Sequence, residues 1–165
     1  MPDVAPLVIH QNAVHFPNLG IANIGGNIHE RHEVRIIDLI RKRRAIRAYL
    51  TKQLTRLAPD IVGLSAMSWQ WDTCCRIIRL IKRVRPTAKI VVGGYHATLM
   101  TQEITKSPEG KLIDFIIQGE GETAFKRLVE ALDGQDTFQD IPSLTGSLPT
   151  LMTFITIKKS GWPLF

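Results

Sequence analysis

The feature that most constrains the fold is a regular alternation of short apolar runs with longer amphipathic stretches. Five runs rich in β-branched residues carry the strand signal: VAPLVIH (4–10), EVRIIDL (33–39), DIVGLSAM (60–67), AKIVVGG (88–94) and IDFIIQG (113–119). Helical patterns follow them at about 19–31, 42–57, 69–85, 98–106 and 121–133. Strands that alternate with helices are typical of a sheet covered on both faces. The alternation predicts an α/β fold with a doubly wound, five-stranded parallel sheet in the flavodoxin-like order 2-1-3-4-5.

The length of the chain, 165 residues, fits one main domain. The alternation stops near residue 139, and the stretch 140–165 contains three prolines and a single β-like run, LMTFITI. Proline is confined to the edges of sheets and to loops. We therefore predict a domain over residues 1–139 and an irregular C-terminal tail or an extra edge strand over 140–165.

Composition excludes several classes of protein. No stretch reaches the roughly 18 apolar residues that a membrane span needs, and the N-terminus lacks the basic and apolar regions of a signal peptide. The two cysteines, Cys74 and Cys75, are adjacent, a spacing that rarely permits a disulfide. These observations predict a cytoplasmic protein with reduced thiols and no membrane partner.

The net charge of +6 comes largely from two basic segments, 41–56 and 76–89. Such segments suggest binding to nucleic acid. In both, however, apolar residues recur at steps of three and four, so the charges occupy the opposite helix face. Solvated outer helices are the favoured interpretation, and a nucleic-acid-binding domain is the less favoured one.

Small and polar residues follow the predicted strands, at the edge where sheets of this class bind ligands. The loops read SAMSWQ (65–70), GGYHAT (93–98) and GEGE (119–122). Glycine lets backbone approach a ligand closely, and the Ser65 hydroxyl can donate or accept a hydrogen bond. The first predicted helix has little side-chain bulk and reduced stability, because it contains Gly20, Gly25 and Gly26. We therefore expect the sheet or a bound molecule to lie close to it.

The motifs of common nucleotide-binding and hydrolytic enzymes are missing. The chain has no G-x-G-x-x-G after the first strand, no G-K-[ST] and no G-x-S-x-G. No residue stands out as a general base or nucleophile. The sequence therefore predicts no catalytic residues.

Four segments together resemble the N-terminal cobalamin-binding domain of the cobalamin-dependent radical S-adenosylmethionine enzymes. They are FPNLGIANIGGNIHERHEVRIIDL, PDIVGLSAMSWQ, IIRLIKRVRPTAKIVVGGYHATLM and IDFIIQGEGETAFKRLVEAL, within residues 16–133. The resemblance implies a Rossmann-like fold with the corrinoid lying across the carboxyl ends of the strands. The cofactor-binding residues that it implies are Ser65, Ala66, Met67, Gly93, Gly94, Tyr95, His96, Gly119, Glu120 and Gly121.

The chain departs from related cobalamin carriers and from the catalytic half of the family. The better-known carriers have D-x-H-x-x-G after the first strand, with a histidine that ligates cobalt. Here the stretch reads IHQNAVHFPNLG, so His10 or His15 is only a possible cobalt ligand and no metal ligand is assigned.

The C-x-x-x-C-x-x-C motif for an iron–sulfur cluster is also missing, so we expect no such cluster in this chain. The resemblance implies a detached or truncated domain rather than a complete enzyme, which binds cobalamin and presents it to a radical S-adenosylmethionine catalytic module absent from this chain. The alternative is a receiver-like protein-interaction module without cofactor.

Overall fold

The computed structural model of the chain describes residues 2–6, 19–39, 42, 45–138 and 141–146, with residues 2–6 and 146 described by their backbone only. Several sequence predictions fall on other residues. His10, His15, most of the loop 10–20 and the run LMTFITI lie outside the described residues.

Within the described residues, six strands form one sheet. They are β1 (Pro2–Pro6), β2 (Arg35–Ile36), β3 (Ile61–Ser65), β4 (Lys89–Gly93), β5 (Phe115–Ile117) and β6 (Leu144–Gly146). Strands β3 to β6 form a mixed four-stranded unit, with β1 paired to β3 and β2 paired to β1, so the full order is β2-β1-β3-β4-β5-β6.

The sheet is mixed and carries a sixth strand, so the predicted five-stranded parallel sheet is confirmed only in part. β6 pairs antiparallel with β5, and Leu144 lies opposite Ile117. After the last helix the chain passes the amino end of β5, where Phe138 stacks on Phe115 at a ring-centroid distance of 6.2 Å. It then reaches the carboxyl end of β5, where the Gln118 amide donates to the Ser143 carbonyl oxygen at 2.9 Å. β6 therefore enters the sheet from the opposite end.

In the part of the chain that the structure describes, six helices cover the sheet. They are α1 (Leu19–Gly26), α2 (Ile46–Leu57), α3 (Trp71–Val84), α4 (Tyr95–Leu99), α5 (Thr101–Lys106) and α6 (Glu122–Leu132), with 3₁₀ turns at Ser68–Gln70 and Glu109–Leu112. Two predicted helices differ from these bounds. The first ends at Gly26 rather than near 31, after two glycines that disfavour helix. The helix predicted at 98–106 is broken at Met100, whose ψ of 27° is not helical.

Each face of the sheet packs against its own helices, which confirms the predicted α/β architecture. Ile90 and Val92 of β4 join α2 and α3 in one core, whereas Val91 joins α1 and α6 in the other. This alternation follows from the two-residue period of a strand. Ile77 and Ile81 of α3 are at most 2% exposed, as the amphipathic pattern predicts.

An ion network fixes the amino ends of β4 and β5. Asp114 accepts hydrogen bonds from Lys82 at 2.8 Å and from Lys89 and the Ile90 amide at 2.9 Å each. Burial alone would raise the pKa of Asp114, but these hydrogen bonds outweigh it and hold the pKa below its ordinary value. The network lies at the end of the sheet opposite the predicted site.

Within the ranges that the structure describes, no helix is long and apolar enough to cross a bilayer. The cytoplasmic location stays a prediction.

Candidate functional site

A cavity of about 210 Å³ opens at the carboxyl edge of the sheet, between α1 and α6. Its walls combine glycines, apolar side chains and three polar side chains. The glycines are Gly20, Gly63, Gly93, Gly94, Gly119 and Gly121; the apolar residues are Ile21, Ile24, Leu64, Val91, Ile117 and Phe125; the polar ones are Ser65, Glu120 and Glu122.

Gly94 is required where β3 and β4 end side by side. Its φ is +89°, and a Cβ added there would lie 2.7 Å from Ser65 Oγ and 3.0 Å from the Ala66 amide nitrogen. Both the backbone angle and the space therefore exclude a side chain. This close approach brings the Ser65 hydroxyl to the cavity wall.

The opposite wall is formed where β5 ends and α6 begins. Gly119 has a φ of +70°, and an added Cβ would meet nothing within 4 Å. At Gly121, an added Cβ would lie 3.2 Å from Ile24 Cδ1, so α1 and the start of α6 are in tight contact. The two glycines let the chain turn from strand to helix while leaving the cavity open.

The structure brings six of the ten predicted cofactor-binding residues to the cavity. These six are Ser65, Gly93, Gly94, Gly119, Glu120 and Gly121. The other four lie nearby but do not line it: Ala66 is 1% exposed in the core, Met67 is half-buried, Tyr95 is exposed and His96 is buried.

His96 is directed toward the loop after β3 rather than into the cavity. Its Nδ1 lies 3.2 Å from Ser68 Oγ, and its ring centroid lies 4.6 Å from that of Trp71. Burial lowers the pKa of His96, and the Glu103 carboxylate opposes that effect in part. A neutral imidazole at this position links two strand-end loops to each other.

Sequence reasoning did not assign Gly63, Ile24 or Glu122 to the site. Gly63 had a recognisable signal, because glycine inside a strand often marks close approach of a ligand or of backbone. The expectation for the first helix holds in part: Gly20 lines the cavity, and an added Cβ at Gly25 would lie 3.3 Å from Val34. The position of Ile24 depends on how α1 and α6 pack, which no local pattern reveals.

The charge at the cavity is negative. Glu120 and Glu122 are its ionisable lining residues, and no lysine, arginine or histidine among the described residues lines it. Carboxylates accept hydrogen bonds from N–H and O–H groups. The cavity therefore suits a ligand that carries amides or hydroxyls at its edge.

The described part of the chain contains no cluster of three or more histidine, cysteine, aspartate or glutamate residues that could hold a metal ion. The two cysteines are buried side chains of α3. Burial raises the pKa of Cys74 to about 12 and that of Cys75 to about 11, so both remain protonated thiols at neutral pH.

A protein-family model described as "B12 binding domain" matches residues 7–129. The matched range includes every strand-end loop that forms the cavity. This match confirms the resemblance that the sequence motifs indicated.

Two curated relatives show the same likeness. An uncharacterized methyltransferase of Pyrococcus horikoshii is 34% identical over 116 residues, which are 70% of this chain and 25% of that protein. The anaerobic magnesium-protoporphyrin IX monomethyl ester cyclase of Rubrivivax gelatinosus is 38% identical over 82 residues, which are 50% of this chain and 14% of that protein. The chain thus spans a quarter or less of the length of these relatives.

Solved structures share the fold. The radical S-adenosylmethionine methyltransferase TsrM of Kitasatospora setae, with tryptophan and a S-adenosylmethionine analogue bound, superposes with a TM-score of 0.71 at 20% identity over 87% of this chain and 27% of that one. The cobalamin-dependent radical enzyme OxsB, with aqua-cobalamin and S-adenosylmethionine bound, gives 0.71 at 20% identity over 87% of this chain and 20% of that one. The fold is therefore Rossmann-like, as the sequence predicts.

Proposed function

The chain belongs to the B12-binding domain family, and from that membership we propose that it binds a cobalamin at the carboxyl edge of its sheet. In this proposal the domain presents the cofactor to a radical S-adenosylmethionine catalytic module outside this chain. The observation that carries the proposal is the glycine-lined cavity between α1 and α6, at the edge where sheets of this class bind ligands.

The size of the cavity supports insertion of one part of the cofactor. Its volume of about 210 Å³ is below the roughly 300–1,000 Å³ of sites that enclose a whole small molecule. Cobalamin consists of a broad corrin ring and a narrow nucleotide tail. We propose that the tail enters the cavity while the corrin lies outside it, across the strand ends.

The cavity residues fit such a tail. Gly93, Gly94 and Gly119 leave backbone exposed to the ligand, because no Cβ covers it. The Ser65 hydroxyl would donate or accept one hydrogen bond, and the Glu120 carboxylate would accept from a hydroxyl or an amide.

Residues outside the cavity would contact the corrin or support the loops. Tyr95 is 56% exposed, and Trp69 and Leu99 beside the same strand ends are 64% and 57% exposed. We propose that Tyr95 and Met67 contact the corrin, since apolar surface at a strand edge favours a flat partner. Ala66 and His96 would act through the loop contacts described above.

The proposal retains the finer parts of the sequence interpretation. The parallel strands take the flavodoxin-like order 2-1-3-4-5, the domain occupies residues 1–139, and 140–165 is an appendage. His10 and His15 lie outside the described residues, so a histidine ligand to cobalt stays a prediction.

When bound, cobalamin supplies the chemistry of methyl or radical transfer at its cobalt, and the protein supplies binding and position. Gly93 and Gly94 admit the tail, and the hydrogen bonds among the strand-end loops hold their spacing. The neutral His96 keeps the loop after β3 in register with the one after β4.

The proposal is tested by incubating the purified chain with hydroxocobalamin and separating free cofactor by gel filtration. We expect the visible absorption of the corrin to co-elute with the protein, with band positions that report the lower cobalt ligand. A folded protein that elutes colourless would contradict cobalamin binding. If cobalamin co-elutes but a radical S-adenosylmethionine partner does not increase the amount bound, the result supports cobalamin binding and contradicts the proposed partner.

A further inference from the structure

Thr98 of α4 joins two turns that the sheet itself leaves unconnected. Its Oγ1 donates a hydrogen bond to the Gly94 carbonyl oxygen at 3.0 Å and accepts one from the Gly119 amide at 2.8 Å. Both glycines line the cavity, and both have positive φ angles, +89° and +70°. One hydroxyl thus connects the positive-φ turn after β4 with the positive-φ turn after β5.

The pairing of the strands shows why a side chain is needed there. On the β3 side, pairing continues to Ser65 and Gly93, and the Ala66 amide then donates to the Gly93 carbonyl at 3.2 Å. On the β5 side, the registered pairs stop at Val92 and Ile116. Backbone hydrogen bonds therefore close the gap between β3 and β4. Side chains bridge the gap between β4 and β5: Thr98 connects the Gly94 and Gly119 turns directly, and Gln118 Nε2 donates to Thr101 Oγ1 beside it.

We infer that Thr98 is a positioning residue that sets the separation of the Gly94 and Gly119 turns and so shapes the cavity for cobalamin. This inference rests on the proposed function. The role requires a group that donates and accepts at the same time, which a hydroxyl does and a methyl group does not.

The exposure of Thr98 separates this role from a general contribution to stability. Thr98 is exposed, so water can replace its hydrogen bonds when the hydroxyl is removed. The fold then loses little, because the Gln118–Thr101 hydrogen bond still holds the end of β5, but the Gly94 and Gly119 turns lose the hydroxyl that connects them directly. We therefore expect a larger effect on cobalamin affinity than on thermal stability.

The test compares three variants. Thr98→Val should weaken the binding of hydroxocobalamin about tenfold, which corresponds to about 1.4 kcal/mol, and should change the Tm of the ligand-free protein by less than about 4 °C. Thr98→Ser should restore affinity. Thr105→Val is the matched control, because Thr105 is also exposed and bonds only the Gln102 carbonyl of its own helix, at 2.9 Å.

Equal affinity of Thr98→Val and wild type would overturn the inference, as would a Thr98→Ser variant that binds as weakly as Thr98→Val. Hydrogen exchange of the Gly119 amide in the ligand-free protein gives an independent reading. Exchange should accelerate in Thr98→Val and stay slow in Thr98→Ser and Thr105→Val, and unchanged exchange in Thr98→Val would show that the bridge does not exist. If wild type binds no cobalamin, the proposed function fails and with it the role of Thr98 in binding, while the exchange rates still decide whether the bridge forms.

Discussion

At the scale of single residues, the adjacent glycines Gly93 and Gly94 have different constraints. An added Cβ at Gly93 would meet only the Ile117 carbonyl oxygen, at 3.7 Å, and the Ile117 Cβ, at 4.0 Å. At Gly94 the same addition would meet Ser65 Oγ at 2.7 Å, in a backbone conformation that disfavours side chains. The first glycine keeps the cavity open, and the second is needed for the chain to fold in this way.

Gly93→Val should therefore fold and fail to bind cobalamin. The protein has room for the new Cβ. The valine side chain would project from the cavity wall, however, and we expect it to exclude the nucleotide tail. We expect a loss of affinity of at least about 100-fold, or about 2.7 kcal/mol, with an unchanged circular dichroism spectrum. Gly26→Val is the control, because an added Cβ there meets nothing within 4 Å and Gly26 does not line the cavity. Tight binding by folded Gly93→Val would show that the tail lies elsewhere.

Gly94→Ala should destabilise the protein itself. Gly94 has φ +89° and ψ −174°, a backbone region open essentially to glycine alone, where a residue with a Cβ costs about 1–3 kcal/mol. The contact with Ser65 Oγ adds to that cost. Gly134→Ala is the control, because Gly134 also has a positive φ, +74°, but an added Cβ there meets nothing within 4 Å. Urea unfolding should show a larger loss for Gly94→Ala than for Gly134→Ala, and equal losses would mean that the loops after β3 and β4 are not in contact.

At the scale of elements, the sequence predicts whether a segment is a helix or a strand better than it predicts the residues at which that element begins and ends. The burial of one face each of α2 and α3 was predictable, because apolar residues recur with the helical period. The break at Met100 and the early end of α1 are single-residue events, which local preferences resolve weakly. β6 was predictable only as an alternative, because a short strand acquires its direction from its pairing with β5.

The ion network at the amino ends of β4 and β5 makes the stability of these elements depend on pH. Asp114 has a folded-state pKa below its ordinary value of 3.8. Its carboxylate therefore stabilises the fold above the unfolded-state pKa, and this contribution is lost as the pH falls through the folded-state pKa.

Asp114→Asn should lower the free energy of unfolding at pH 7 by about 2–3 kcal/mol, because Lys82 and Lys89 lose their charged partner. Asp72→Asn is the control: Asp72 pairs with Arg76 at 2.8 Å, but both side chains are more than 70% exposed, so we expect a change within about 0.5 kcal/mol. Urea titrations from pH 3 to pH 7 should show a smaller pH dependence for Asp114→Asn than for wild type. If the free energies of unfolding of Asp114→Asn and wild type changed equally with pH, ionisable groups other than Asp114 would account for the loss of stability in acid.

At the scale of the whole molecule, the site could be predicted as a place more readily than as a set of contacts. The alternation of elements places the loops after β3, β4 and β5 at one edge, and glycines in those loops indicate a ligand. Which side chains face the cavity depends on rotamers and packing. His96 faces Ser68 and Trp71. Thr98 bonds two glycines that are 25 residues apart in the sequence, and only the folded turns bring them together.

The measurement that tests the central claim most directly is a parallel titration of the chain with cobalamin and with cobinamide, which has the corrin ring but no nucleotide tail. If the cavity between α1 and α6 holds the tail, cobalamin should bind at one equivalent per chain, and cobinamide should bind at least about tenfold more weakly, a difference of about 1.4 kcal/mol. Equal affinities, or no binding of cobalamin by the folded chain, would contradict the claim.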